Sequence, residues 1–515
     1  MSAQPSPKAL VEHSAVELRA LIGRGEVSPV ELLDACLSRI DELNPAVNAL
    51  CARDDARARQ AAQRAEARVR QGEALGLLEG LPLGVKDLQD TEGLLTTCGN
   101  VRLRGQVPRA DNALVARLRQ AGAIVTAKTN VPDMGAGGNT QNPVWGATGN
   151  PFDPTLNAGG SSGGSAVALA TDMLPLCTGS DTGGSLRLPA ALCGVVGLRP
   201  SPGLVSHDAR SLGWSAISVL GPMARDVADT ALLMAASVGT HPMDPLSVPV
   251  SAQAFLRLPE VALSDLRIAV SADFGCCALD PEVRRHFEDR VQRLSRRVKS
   301  CDRLDWDLQA GHRSFDVIRA ESFLAGFAEV NRHAPETLGP HVRANLALAA
   351  QISLADRAEA HLAQTRLFRQ FQQVLSEVDV IISPVTPLPA FPWRTLYAQT
   401  IDGVPQRHYY EWLSLTYLVT LSTCPALSLP LGVDDRGLPF GVQLVAALGQ
   451  DARLLAMGQA VERWWQGQAD GGRPRPDLAA LRTPRPELKD PVTHPPLQPG
   501  EWRTEGLTEG LRPAV

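Results

Sequence analysis

Lysine is scarce in this chain of 515 residues. Of its 50 basic residues only five are lysines, namely Lys8, Lys86, Lys128, Lys299 and Lys489. Arginine therefore supplies positive charge wherever charge alone is needed. A lysine inside an apolar stretch points to the one property that arginine lacks, which is the ability to lose its proton near neutral pH.

The sequence also lacks the features of secreted, membrane-spanning and nucleic-acid-binding proteins. Its longest apolar runs, such as 190–198, are shorter than the roughly 18–20 residues of a membrane span, and residues 1–8 contain no apolar signal core. A net charge of −5 argues against a basic surface for nucleic acids. The nine scattered cysteines form no C-x-x-C pair and have no zinc-ligand spacing. We therefore expect a cytoplasmic protein with reduced thiols, no metal, no nucleic acid and no membrane span.

Helical and strand patterns are intermixed along the chain, which indicates an α/β fold. Hydrophobic residues make up 44% of the sequence, enough for a large core. Ser14 and Ser28 each begin a capping box, which predicts two helix starts. The other predicted helices cover 54–70, 165–171, 224–237, 281–298, part of 315–374, and 451–465. The predicted strands cover 123–127, 266–271, 378–383, and a hairpin of 426–431 with 440–445, and the segment 81–88 is predicted to be a buried strand or a turn.

No linker is visible before residue 468, so we interpret 1–468 as one domain. It comprises a helical part at about 10–75, a glycine-rich core at about 80–240 and a more variable region at about 250–425. Residues 469–515 differ because nine prolines fall between 474 and 513. This extension is predicted to be an extended wrap or a flexible arm.

The first candidate motif is Gly-Val-Lys-Asp at 84–87. Burial in apolar surroundings would lower the pKa of Lys86, and a neutral amine can act as a general base. The alternative is structural: Lys86 pairs with Asp87 or lies exposed at the surface.

The second motif is the Gly/Ser run at 158–165. It matches G-x-S-x-G in two overlapping frames, centred on Ser161 and Ser162, although any Gly/Ser run produces such matches. A flexible linker is the alternative, but linkers are seldom embedded between apolar segments as this run is.

The third motif covers 179–189 and is a polar, glycine-rich turn. Consecutive backbone amides here could point at one anion and stabilise an oxyanion, with a hydroxyl at the rim as nucleophile. Asp181 and Arg187 flank the turn as a predicted ion pair. A phosphate-binding turn is the alternative, but no lysine follows the glycines as in a Walker loop. The amides in question belong to Thr182, Gly183, Gly184 and Ser185.

Together the three motifs resemble the amidase signature family. The stretch 159–166, the 24-residue step from Ser161 to Ser185 and the stretch 194–201 follow the family pattern, and the similarity covers roughly 10–465. The resemblance implies an α/β fold with a large mixed central β-sheet covered by helices on both faces. It also implies a hydrolase of non-peptide C–N bonds, which converts a carboxylic amide to an acid and ammonia or an amine through an acyl-enzyme.

Residue by residue, the resemblance implies a Ser-cisSer-Lys triad. Lys86 falls on the family's base, Ser161 on the bridging serine held by a cis peptide bond, and Ser185 on the nucleophile. It implies no cofactor and no metal, a small-molecule amide as substrate, and a homodimer. The expected oxyanion-hole residues are Thr182, Gly183 and Gly184, with Ser162, Ser180, Asp181 and Arg187 in support.

The substrate pocket is harder to predict. Met134, Gly135 and Ala136 begin the segment 134–139, which lies where family members place side chains beside the acyl group. The small residues of this segment predict room for a bulky or aromatic acyl part, or else only tight packing. Trp145 and Tyr417 are expected to line the pocket or to belong to the core.

Three other functions stay open. The first is the glutamine-hydrolysing subunit of an aminoacyl-tRNA amidotransferase, for which 310–420 contains no recognisable glutamine pocket. The second is a catalytically silent scaffold, which would predict a damaged triad. The third is a Ser–Asp/Glu–His hydrolase using His341 or His408, which no motif singles out.

Overall fold

The computed structural model of the chain describes residues 7–493. Residues 1–6 of the N-terminal segment and residues 494–515 of the proline-rich extension lie outside this range. Within it, no helix is long and apolar enough to cross a membrane.

Several helices begin where the sequence supplies a capping side chain. Ser14 and Ser28 both form the predicted capping boxes with the glutamates three residues later. The helices are α1 Pro7–Glu12, α2 Ala15–Gly23, α3 Pro29–Val47, α4 Asp55–Gln71, α5 Ala113–Gln120, α6 Gly163–Ala170, α7 Arg187–Cys193, α8 Val227–Ser237, α9 Gln253–Leu256, α10 Pro281–Ser295, α11 Ala310–His333, α12 Pro340–Ala349, α13 Leu354–Glu377, α14 Ser414–Leu421 and α15 Asp451–Gln466. Short 3₁₀ turns lie at Val101–Leu103, Asp133–Gly135, Leu263–Asp265, Pro335–Thr337, Glu411–Leu413, Ala480–Arg482 and Pro486–Leu488.

The strands are short and mostly buried. They are β1 Leu50–Arg53, β2 Pro82–Lys86, β3 Ile124–Thr129, β4 Gln141–Asn142, β5 Gly146–Ala147, β6 Leu176–Asp181, β7 Val196–Arg199, β8 Val219–Ala224, β9 Arg267–Val270, β10 Ser300–Arg303, β11 Val380–Pro384, β12 Thr400–Ile401, β13 Val404–Pro405, β14 Ala426–Val433 and β15 Pro439–Val445.

Within residues 7–493, eleven strands form one mixed sheet in the order β1-β3-β2-β6-β8-β7-β14-β15-β11-β9-β10. Strand β2 runs parallel to β3 and β6, and β9 runs parallel to β10 and β11. The remaining pairs are antiparallel, including the predicted hairpin of β14 and β15. This confirms the predicted α/β class with a large mixed sheet.

Helices cover both faces of this sheet. On the β14–β15 hairpin, Leu427 lies against Gly458 of α15, whereas Gly441 lies against Ala191 of α7. Gly441 pairs with Pro430 across the hairpin, so these two residues point to the same face of the sheet. Pro430 lies three positions after Leu427 on β14, and residues an odd number of positions apart on a strand point to opposite faces. Leu427 and Gly441 therefore point to opposite faces, which means that α15 and α7 cover opposite faces of the sheet.

The described part of the C-terminal extension packs on the N-terminal helices. Leu481 and Leu488 are buried. The Arg485 N–H donates to the carbonyl of Pro45 at 2.9 Å, and Asn48 Nδ2 donates to the carbonyl of Leu488 at 3.0 Å. Residues 480–488 thus lie along α3, whereas Asp470 pairs with Arg293 of α10 and Arg473 with Asp172, so that residues 469–493 form a C-terminal wrap.

The sheet topology brings the three sequence motifs together. Strands β2 and β6 are parallel neighbours, so their carboxyl ends lie at the same edge of the sheet. Lys86 is the last residue of β2, and the turn 182–186 directly follows β6. Gly84 permits this close pairing, because a Cβ there would lie 2.7 Å from the sulfur of Cys177.

Candidate active site

Lys86 lies fully buried at the end of β2, with its amine surrounded by hydroxyl groups. Its backbone N–H donates to Thr178 Oγ1 at 3.0 Å, which holds the end of the strand. Its Nζ lies 2.8 Å from Ser161 Oγ, 2.7 Å from Ser162 Oγ and 2.9 Å from Ser180 Oγ. The structure therefore joins the first two predicted motifs through direct contacts of the lysine.

No acid neutralises this lysine. Among residues 7–493, Lys86 forms no ion pair with a carboxylate. The carboxylate of Asp87, the predicted structural partner, instead accepts hydrogen bonds from the N–H and the hydroxyl of Thr97, the latter at 2.8 Å. Burial lowers the pKa of Lys86 from 10.5 to about 7, and the more distant charge of Asp181 opposes this only in part. A large share of the amine is therefore unprotonated at neutral pH.

Ser161 contacts the lysine and also lines a cavity. The Gly160–Ser161 peptide bond is cis. Ser161 is 3% exposed and lines the same cavity as Ser185. Ser162 precedes α6, and its N–H donates to the carbonyl of Ser185 at 3.2 Å, so the two serine segments are bonded to each other.

The turn that carries Ser185 is braced by a buried carboxylate. Asp181 Oδ1 accepts from Arg187 Nη2 at 2.9 Å and Asp181 Oδ2 from Arg187 Nε at 3.0 Å, so the predicted pair is bidentate. Arg199 Nη1 adds a contact of 3.2 Å, and all three side chains are fully buried. Burial alone would raise the pKa of Asp181, but the two guanidinium groups hold it below its usual value. The ionised carboxylate therefore fixes the turn.

This carboxylate also changes which amides are free. Asp181 Oδ1 accepts from the N–H of Gly184 at 2.9 Å, so that amide is already engaged, contrary to the sequence-based expectation for an oxyanion donor. Within the described part of the chain, the amides of Thr182, Gly183 and Ser185 have no acceptor. These three are the donors left for an oxyanion.

A cavity of about 450 Å³ opens above the serines. Its walls include Ser161, Ser180 and Ser185 together with Thr182 and Gly183. Of the predicted pocket residues, Met134 and Gly135 line this cavity. Ala136 lines a neighbouring cavity instead.

The two aromatic candidates do not line the cavity. Tyr417 is 1% exposed and lies behind Phe315, with the two rings stacked at 4.3 Å. Trp145 lies in a separate depression beside α3, where its Nε1 donates to Thr97 Oγ1 at 2.8 Å. The core interpretation fits Tyr417, and Trp145 supports the segment that holds Asp87.

The aromatic wall of the cavity was not found from the sequence. It is formed by one face of α11 and by the segment before α14. Its aromatic members are Phe315, Phe323, Phe327, Tyr409 and Tyr410, and Arg319 lies among them. The spacing of 315, 319 and 323 is the one available signal, because residues four apart share a helix face.

The histidines bear on the alternative triad. His341 and His408 are absent from the cavity wall that contains Ser185. His207 does line the cavity, but burial lowers its pKa to about 4, and within residues 7–493 no hydrogen bond joins it to Ser185. Among residues 7–493, no histidine therefore takes the place of Lys86 beside the serines.

Comparisons with known proteins agree with this geometry. A sequence profile described as Amidase matches residues 31–455. The glutamyl-tRNA(Gln) amidotransferase A subunit of Picosynechococcus sp. is 34% identical over 474 residues, which cover 86% of this chain and 96% of the relative. A bacterial aryl acylamidase of the amidase signature family superposes with a TM-score of 0.81 at 25% identity, covering 88% of this chain and 96% of the other. A crystal structure described as an amidase has a TM-score of 0.76 at 31% identity, covering 88% and 100%.

Proposed function

Since this chain belongs to the amidase signature family, we propose that it hydrolyses the C–N bond of a carboxylic amide through an acyl-enzyme on Ser185. The observation that best supports this proposal is the environment of Lys86. Its amine lies within 3 Å of three serine hydroxyls, is fully buried and has no carboxylate partner among residues 7–493. An arginine in this position would stay protonated and could not accept a proton.

The proposed reaction begins with a proton relay. Lys86 Nζ takes a proton from Ser161 Oγ, which takes one from Ser185 Oγ. Ser185 Oγ then bonds to the carbonyl carbon, and the oxygen that gains the negative charge accepts from the amides of Thr182, Gly183 and Ser185. The C–N bond breaks as Ser161 returns a proton to the nitrogen and regains one from Lys86.

Water completes the cycle along the same route. It loses a proton through Ser161 to Lys86 and attacks the ester carbon of the acyl-enzyme. The C–O bond to Ser185 breaks, Ser185 regains its proton, and the acid leaves. The relay returns to its initial protonation state without a metal or cofactor taking part in any step.

A fluorophosphonate probe tests the nucleophile. We expect mass spectrometry to find the phosphonyl group on Ser185 of the wild-type protein and no label on Ser185→Ala. A panel of aliphatic, aryl, anilide, carbamate and glutamine amides, analysed for acid and amine products, then tests the activity. A folded wild-type protein that neither takes the label nor hydrolyses any amide would instead support a silent scaffold.

The similarity to the Picosynechococcus protein favours a second candidate function. That protein's name, a glutamyl-tRNA(Gln) amidotransferase component, corresponds to an amidase that releases ammonia from glutamine within a larger assembly. Under this function glutamine would be the best substrate of the panel, and its hydrolysis would be stimulated by a partner protein. An isolated chain that hydrolyses other amides better than glutamine would exclude it.

Two finer points belong to the same proposal. The nine cysteines are free thiols, five of them buried, which supports a reducing compartment such as the cytoplasm. The family resemblance supports a homodimer, which sedimentation analysis would test.

A further inference from the structure

Arg319 is an arginine without an acid in the wall of the catalytic cavity. It lies on α11, is 7% exposed and lines the cavity that contains Ser161 and Ser185. Its Nη2 donates to Tyr409 Oη at 2.6 Å. Among residues 7–493 its guanidinium forms no ion pair, and its buried Nε has no acceptor. Buried arginines are normally paired, so this charge lacks a counter-ion.

The surroundings of Arg319 do not supply that counter-ion. Its guanidinium carbon lies 4.7–5.9 Å from the centroids of four aromatic rings. Aromatic faces attract a cation but do not satisfy its N–H groups as a carboxylate does. The rings are those of Phe315, Phe323, Tyr409 and Tyr410.

The acidic residues near Arg319 either bind other side chains or form no ion pair with it. Asp316, one helical turn away, accepts from Tyr410 Oη at 2.8 Å and lies beside His408. The other arginine of the cavity wall, Arg210, is already paired with Asp244 at 3.1 Å. Asp90 lines the cavity but is exposed and makes no ion pair with Arg319. Among residues 7–493, Arg319 is thus the arginine of this cavity wall that no carboxylate of the protein neutralises, so its charge can pair with a ligand.

The position of Arg319 relative to the reacting carbon follows from helix geometry. Phe315 lies against the oxyanion turn, since its Cζ is 3.1 Å from where a Cβ of Gly183 would stand. Arg319 is four residues further along α11, which places it about 6 Å along the helix axis. A substrate whose carbonyl is held at Ser185 can therefore reach Arg319 with a group several bonds away.

We propose that Arg319 binds a carboxylate carried by the amide substrate, so that the enzyme prefers acidic amides. The inference rests on the proposed function for the reaction, but the binding site stands on its own. A carboxylate is planar and accepts from two N–H groups of one guanidinium in a two-pronged arrangement. The Nη groups are the ones that can reach it, because Nε is shielded from the cavity, and the aromatic cage would exclude water from the pair.

Matched substrates test the proposal. Glutaric acid monoamide and pentanamide differ by a carboxylate on the acyl side, and N-benzoylglycine and N-ethylbenzamide differ by one on the amine side. We expect the wild-type kcat/KM to favour the acidic member of at least one pair by about tenfold or more. Arg319→Met should abolish that preference mainly through KM, while the neutral member stays within about threefold. Arg319→Lys should retain part of the preference.

A control on the same helix separates binding from folding. Arg313 is exposed and paired with Asp356, so Arg313→Met should leave the preference unchanged. If the wild type shows no preference in either pair, or Arg319→Met slows both members equally, the proposal is overturned.

A binding experiment separates this proposal from the hydrolase proposal. Titration calorimetry of Ser185→Ala with N-benzoylglycine and with glutarate should detect saturable binding that the added Arg319→Met change removes. Such binding by a protein that hydrolyses no amide would uphold the carboxylate site and refute the hydrolase. Amide hydrolysis without any dependence of rate or binding on Arg319 would do the reverse.

Discussion

The Lys86→Arg substitution separates the charge of Lys86 from its ability to give up a proton. With a pKa of about 7, roughly half of the Lys86 amines are neutral at pH 7. An ordinary lysine with a pKa near 10.5 would be neutral in only about 3 molecules in 10,000 at that pH, and an arginine in far fewer. If the neutral amine starts the relay, Lys86→Arg should lower kcat/KM by about a thousandfold or more at pH 7.

The same reasoning fixes the pH dependence of the wild type. Protonated Lys86 cannot accept a proton from Ser161, so kcat/KM should fall about tenfold for each pH unit below the pKa. Above about pH 7 the amine is neutral and the rate should level off. A stopped or continuous assay of the product amine from pH 5.5 to pH 9.5 would locate the inflection in kcat/KM, which reports the pKa of the base in the free enzyme.

Stability should depend on pH through the same residue, in a direction that can be derived. The pKa of Lys86 is lower in the folded chain than in the unfolded chain, so the unfolded chain binds more protons between about pH 7 and pH 10.5. The contribution of Lys86 to stability therefore rises with pH across that window. Relative to Lys86→Met, the wild type should gain at most about 5 kcal/mol from pH 6.5 to pH 10.5. Urea unfolding of both proteins at several pH values would measure this difference.

Lys299 provides the matched control, because it is an exposed lysine outside the cavity. Lys299→Arg should leave the rate and its pH profile unchanged. A Lys86→Arg protein that keeps more than about a tenth of the wild-type activity at pH 7 would refute Lys86 as the base. So would a wild-type profile without an inflection between about pH 6 and pH 8, the range around the lowered pKa.

The remaining predictions concern the frame around the site. Asp181→Asn leaves two buried guanidinium groups without their carboxylate, so the free energy of unfolding measured in urea should fall by about 3–5 kcal/mol. The control Glu288→Gln, which breaks a surface ion pair, should lower it by less than about 1 kcal/mol. Leu488→Ala should cost about 2–5 kcal/mol; an unchanged unfolding curve would mean that the C-terminal wrap contributes nothing to stability. Burial and the charge of Asp226 raise the pKa of Glu462 to about 8, so this residue destabilises the fold increasingly as the pH rises from about 4.5 to 8. Glu462→Gln should therefore melt above the wild type at pH 8.5, with the advantage gone at pH 5.

Local signals predicted the elements that hold the site. The capping boxes at Ser14 and Ser28 depend on residues three positions apart, and the structure contains both. The segment 81–88, predicted to be a strand or a turn, contains β2, which ends at Lys86. That β2 and β6 are neighbours could not be derived from periodicity, because they are about 90 residues apart and their pairing depends on the whole sheet. The family resemblance implied only that Lys86, Ser161 and Ser185 act together.

The points that the sequence left open or missed have physical causes. Tyr417 and Phe315 are about 100 residues apart in the sequence, yet their rings stack. The side of Phe315 on which Tyr417 lies, and so whether it lines the cavity, is therefore decided by how α14 packs against α11. Gly184 was predicted from its place among consecutive amides, but a carboxylate three residues earlier competes for its N–H. Arg319 was missed because 45 of the basic residues are arginines, so that composition marks none of them as special.

Lysine scarcity, by contrast, marked two residues whose roles differ. Lys86 and Lys128 are both fully buried and lie on adjacent parallel strands, where Lys128 pairs with Val85 and so points to the other face from Lys86. Burial lowers the pKa of Lys128 as well, but the neighbouring Asp87 opposes that shift, and its Nζ donates to the carbonyl of Gln89 and to Thr91 Oγ1. The amine of Lys86, by contrast, contacts the hydroxyls of Ser161 and Ser180, which line the cavity. A rare lysine in an apolar strand therefore predicts burial, whereas a base requires in addition a hydroxyl contact that connects the amine to the cavity.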